Sequence, residues 1–213
     1  MNEDDLPILP FRDEPLHLYQ PENALAALAL FVEALDQSEH KTVSFDLEYS
    51  VYDDGREPGD PSLLTFASIN YKKVRAIHIG RMGAQKGQVL HSVKVLLGRS
   101  DFLFVGSRIT SDVTKLKRSF PHIPFKVPNV MDLGFMAVYR GVVPFKKGHT
   151  GFGPLVCELL SFRLEKDNEN RVSSVWDRPG DLLRDALCTG QEMPRQASYF
   201  SRNSMTCQIC RFG

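Results

Sequence analysis

Asp46 and Glu48 lie two residues apart in the apolar stretch "VSFDLEYSVYDD", residues 43–54. In a strand, successive side chains point to opposite faces, so these two carboxylates share one face while Phe45 and Leu47 share the other. Carboxylates set side by side repel unless a positive charge lies between them, and a divalent cation supplies one. A third acid, Asp112, stands near the start of the helix-like stretch "SDVTKLKRSF", just after the buried run "DFLFVG". Open α/β sheets collect their ligand sites at the C-terminal edge of the strands, where a crossover beside the first strand sets Asp112 near the pair. An acidic wet strand face and a carboxylate compensating a helix dipole account for these acids one at a time. As a set of three they suit hard, oxygen-preferring ions such as magnesium or manganese.

The elements that must position them follow from periodicity. "PENALAALALFVEALDQ" opens with proline and repeats apolar residues at three and four spacings through Leu25, Leu28, Phe31, Val32 and Leu35, which predicts a helix. The carboxylate strand comes next, then "SLLTFASIN" and "KVRAIHIG" separated by "NYKK", a pattern for a meander of three antiparallel strands. "AQKGQVLHSVKVLLG" predicts a helix closed by Gly98, and "DFLFVG" a buried strand leading into the next helix. "NVMDLGFMAVYRG", "GPLVCELLSFRLEK" and "WDRPGDLLRDALCTG" add a short strand and further helices. Strand and helix alternating after a meander predict an α/β domain with a mixed sheet, three strands antiparallel and the rest parallel, flanked by helices.

Composition sets the outer limits. A chain of 213 residues holds one domain with some extra at its ends, and its 26 basic and 26 acidic residues cancel. A polyanionic partner must then be held by a local patch, because net charge offers no steering. No apolar run approaches a membrane span, and the start "MNEDDLPILPFRDEP" is acidic where a signal peptide is basic and then apolar. The expectation is an intracellular protein with no membrane partner. Of Cys157, Cys188, Cys207 and Cys210, the last two form "CQIC", half the spacing of a zinc site with no second half after it. Reduced thiols are the expected state.

These motifs carry a resemblance to a known family. "FDLEYS" resembles the first motif, and "VGSRITSDVTKLKR" the second, of the DEDD superfamily of 3'-5' exonucleases with a ribonuclease-H-like fold. "FGPLVCELLSFRLEKD" and "VSSVWDRP" resemble the approach to the third motif in the branch of ribonuclease D and the Werner-type exonuclease domain. The likeness runs from about Ala24 to about Glu192 and implies an exonuclease-like domain over 21–192, an N-terminal extension over 1–20 and a divergent tail over 193–213. It also implies a two-metal hydrolase using Mg2+ or Mn2+ on single-stranded or fraying nucleic-acid 3' ends, with the ions about 4 Å apart. Asp46 would bridge both ions, Glu48 would bind one and help seat the terminal nucleotide, and Asp112 would hold the other.

The third motif departs from that pattern. The branch places there a tyrosine and, four residues on, an aspartate; counting from "WDRP" these places fall on Leu187 and Gln191. Leucine offers no hydroxyl, and a neutral amide is a poor substitute for a carboxylate at a divalent ion. Asp185 and Asp181 lie off the required helix face, whereas a shift of one position brings in Glu192. No histidine follows His149. Two functions are therefore expected: a metal-dependent 3'-5' exonuclease, or a pseudo-exonuclease that keeps the fold as an RNA-binding or protein-interaction module. Unrelated carboxylates in an ordinary α/β domain are the third reading. Lys115, and Lys146, Lys147 and His149 in the glycine-punctuated "VVPFKKGHTGFG", are the basic candidates for phosphate contact. Trp176 reads as a packing anchor for the last helix, with base stacking as the minority reading. The sequence names no protein partner.

Overall fold

The computed structural model describes residues 6–7, 16–52, 55–68, 71–143 and 151–162. Its elements in chain order are β1 (Leu16–Leu18), α1 (Pro21–Asp36), β2 (Thr42–Tyr49), β3 (Pro61–Ser68), β4 (Tyr71–Ile77), α2 (Lys86–Leu97), β5 (Leu103–Gly106), α3 (Ile109–Ser119), β6 (Val130–Asp132), α4 (Leu133–Tyr139) and α5 (Phe152–Leu160). The six strands form one sheet in the order β1-β4-β3-β2-β5-β6. β2, β3 and β4 are the expected antiparallel meander. β5 joins β2 in parallel, β6 joins β5 in parallel, and β1 joins β4 in parallel. Only β3 runs against the others, so five strands end at one edge.

The core follows from the alternation in β2. Val43, Phe45 and Leu47 are buried in the main apolar cluster together with Phe31 of α1 and Leu64 and Phe66 of β3. Phe45 pairs directly with Phe66 across the ladder, and their ring centroids lie 5.2 Å apart. β3, covered on both faces, is buried along its whole length. The other face of β2 holds Ser44, which is buried, and Asp46 and Glu48, which are half-buried. Arg75 of β4 is buried; its Nε donates to the Ala27 carbonyl at 3.3 Å and its guanidinium lies over the Phe31 ring, which fastens α1 to the sheet.

β1 is the element that periodicity did not predict, and it lies within the stretch read as an extension. The backbone N–H of His78 donates to the Leu18 carbonyl at 2.9 Å. Nδ1 of His17 and Nε2 of His78 meet at 2.9 Å. The Tyr19 ring stacks on His78 with centroids 4.2 Å apart, and Arg81 covers the other ring, Tyr19. Burial, with the neighbouring His17 and Arg81 charges adding to it, holds the His78 imidazole down at a pKa of about 3. Helix α5 is shorter than the apolar pattern suggests, because Ser161 turns into the left-handed region at φ 53° and ends it. No described helix is long and apolar enough to cross a membrane.

Candidate metal and nucleic-acid site

β5 is short, and that shortness creates the site. Its ladder with β2 pairs Thr42, Val43 and Ser44 with Leu103, Phe104 and Val105, so Asp46 and Glu48 continue past the point where this pairing ends. On the other side Asp46 is held opposite Thr65 and Glu48 opposite Leu63, with a bulge between Glu48 and Tyr49. Strand ends and bulges of this kind aim side chains at a site. The chain then leaves β5 through Gly106, crosses Arg108 in the left-handed region at φ 61°, and enters α3. Asp112 lies in the first turn of α3, its N–H donating to the Arg108 carbonyl at 3.3 Å.

Electrostatics shows which acids share the space. Burial raises the Asp46 carboxyl well above the usual carboxylate range, and the charges of Glu48 and Asp112 raise it further. Asp112 is pushed up to about 8, first by burial, then by Glu48 and by Asp132, with Arg108 opposing. The sheet edge therefore brings Asp46, Glu48 and Asp112 within each other's fields. It also adds an acid that sequence reasoning did not single out. Asp132 closes β6 opposite Gly106 and caps α4, accepting from the Phe135 N–H at 3.1 Å. Its signal was present in "NVMDLGF", a strand ending in an acid at the start of a helix, like its neighbour Asp112.

As a donor set, carboxylate oxygens that are partly buried and mutually repelling fit a hard divalent cation in type and in charge. Among the described residues no group of three or more histidine, cysteine, aspartate or glutamate side chains is gathered closely enough to hold an ion as it stands. Uncompensated like charges favour such spreading.

Lys115 lies one turn after Asp112. Its Nζ donates to the Pro58 carbonyl at 3.0 Å and lies 4.9 Å from the centre of the Tyr49 ring. It thereby ties α3 to Pro58 in the β2–β3 loop and to Tyr49 at the end of β2.

No protein-family model and no curated protein matches the sequence. Solved structures do. The EXO domain of Aedes aegypti Nibbler is 14% identical over 95% of this chain and 87% of that one, with a TM-score of 0.65. Trypanosoma brucei RNase D in complex with RNA U12 is 14% identical over 93% of this chain and 62% of that one, also at 0.65. The EXD2 exonuclease domain, in a structure soaked in Mg and GMP, is 14% identical over 94% and 88% with a TM-score of 0.50. The fold is the one these exonuclease domains share. In this exonuclease-domain fold the ribonuclease-H-like mixed sheet expected from the motifs is present, with strands added at both ends of the meander. Lys146, Lys147 and His149 lie outside the described residues, as do Trp176, Leu187, Gln191 and Glu192.

Proposed function

We propose that the protein is a metal-dependent 3'-5' exonuclease acting on single-stranded or fraying nucleic-acid ends, with Asp46, Glu48 and Asp112 holding Mg2+ or Mn2+. The observation that supports this most is the pair of raised carboxyls, Asp46 and Asp112, which come from separate elements and are both raised by burial and by the Glu48 charge between them in the chain. Such a concentration of buried negative charge costs stability unless a cation joins it. Bound there, divalent ions would activate a water and stabilise the oxygen that departs from the phosphodiester. The chain's own part is placement: β2 sets two carboxylates, α3 sets the third, and Arg108 brings a cation to the rim. T. brucei RNase D is seen with RNA and an EXD2 domain was soaked in Mg, which agree with these ligands. Among the four basic candidates, Lys115 is already engaged by Pro58 and Tyr49, which gives it a fastening role in addition to any phosphate contact.

A second reading is supported by Leu187 and Gln191 at the third-motif places. In it the fold binds nucleic acid or a protein without turnover. One experiment separates the two. The purified chain is incubated with 5'-labelled single strands and Mn2+ beside Asp46→Ala. Stepwise shortening from the 3' end that disappears in the variant supports the exonuclease; binding without shortening supports the second reading; neither binding nor shortening overturns both nucleic-acid readings.

A further inference from the structure

Helix α4 turns two aromatic rings to solvent. Phe135 is 66% exposed and Tyr139 75%, although large aromatic side chains normally contribute much of a domain's buried surface. They stand one helical turn apart with their planes 13° from parallel and their centroids 6.5 Å from each other. The inner side of the same region is already committed, because Ala137, Val143 and Leu155 form the small core that joins α4 to α5. From Leu133 to Val143 the single charged residue is Arg140, which is exposed; the nearest acid in the sequence is Asp132, at the start of the helix. The helix begins at Asp132, whose charge reaches Asp112, so the rings start one turn from the carboxylate edge.

We infer that Phe135 and Tyr139 are a stacking platform for unpaired nucleobases of a strand whose end lies at that edge. This rests on the nucleic-acid reading of the edge given above. Flat rings of nearly equal orientation accept any base, because every base has a π-face. A polyanion also needs a border free of acids beyond the metal site, and residues 133–143 provide one with Arg140 inside it. A protein partner would use the same apolar area, and the experiment separates it.

The test measures polarisation of fluorescein-labelled single-stranded oligo-uridine and oligo-thymidine binding to the full chain, in EDTA so that no strand is cut. Phe135→Ala and Tyr139→Ala should each weaken binding on the order of tenfold, as loss of one stacked base does. Tyr139→Phe and Phe135→Tyr should stay within about twofold, because the flat face is kept. The salt dependence should keep its slope, since no phosphate contact is removed. Both side chains are exposed and alanine is the better helix former, so the variants keep their fold, which thermal melts check. Equal binding by the double alanine variant overturns the platform, and so does a loss of salt slope in step with affinity. Unchanged oligonucleotide binding with altered sedimentation identifies a protein interface instead and overturns it as well. If the parent chain trims strands in Mn2+ while the double variant binds equally well, the platform falls and the exonuclease reading stands. A parent chain that binds no oligonucleotide removes both.

Discussion

Gly106 and Phe45 approach so closely that a Cβ on the glycine would lie 2.7 Å from the Phe45 carbonyl oxygen and 3.1 Å from the Ile109 Cβ. This contact lets β5 end against β2 just before Asp46 and lets the chain turn at once into α3. Gly106→Ala should therefore push β5 and α3 away from β2, costing about 1–3 kcal/mol by overpacking. Urea denaturation measures the loss. The same shift carries Asp112 away from Asp46, so any Mn2+ response should weaken along with stability.

Lys115→Met removes the hydrogen bond to the Pro58 carbonyl and the ammonium over Tyr49 while keeping most of the aliphatic stem. An exposed bond of this kind contributes roughly 0.5–1.5 kcal/mol. The more telling readout is local: the Gly59 N–H, which donates to Ser50 at 2.9 Å, should exchange faster with deuterium in the variant. Unchanged exchange at Gly59 would show that the β2–β3 loop holds itself.

Arg108 breaks three local preferences at once. It is a non-glycine residue at φ 61°, it offers α3 no side-chain cap, and it puts a cation at the positive end of the helix. Arg108→Gly should raise stability by about 1 kcal/mol through relief of the left-handed strain. Calorimetry reads that gain. A gain in stability accompanied by weaker oligonucleotide binding would identify the arginine as a residue kept for its charge.

Metal should stabilise the fold if the carboxylates hold it. Mn2+ at about a hundred times its Kd raises stability by about 2.7 kcal/mol, visible as a higher melting temperature. Asp112→Asn removes a carboxyl that folding must either protonate or crowd against its neighbours, so it should melt higher than the parent in EDTA and respond less to Mn2+. A parent chain whose melting ignores both Mg2+ and Mn2+ contradicts the proposed ligand set.

Acid should weaken the attachment of β1. The His78 imidazole is held at about 3, against an ordinary value of 6.5, so the unfolded chain takes up its proton first as pH falls. The contribution is complete above about pH 6.5 and declines through the window down to about 3. His78→Gln should flatten the parent's loss of stability across that window. Parallel pH–stability curves for parent and variant would refute the assignment.

Much of this was legible in the chain because the relevant signals are local. α1 and the meander announce themselves by spacing, and Gly98 marks the end of α2 as expected. That Asp46, Glu48 and Asp112 face one sheet edge could be read because a crossover from β2 to a parallel neighbour puts strand ends together, although among the described residues no three such side chains gather closely enough to hold an ion as they stand. β1 could not be read: "LHL" is too short for an alternation, and what fixes it is pairing with β4 far along the chain. Asp132 carries the sequence signature of a helix cap, an acid just before a helix, and it is one. Its second effect, on Asp112, exists only once β6 lies beside β5.

β1 adds a parallel neighbour to β4 through three residues, Leu16 to Leu18. Removing the chain before Pro21 would strip that cover and leave the backbone N–H and C=O groups of a strand through Arg75 and Ala76 open to recruitment. A trimmed version of the protein would thus carry a ready template for strand addition, and self-association through that seam is the hazard its short first strand guards against.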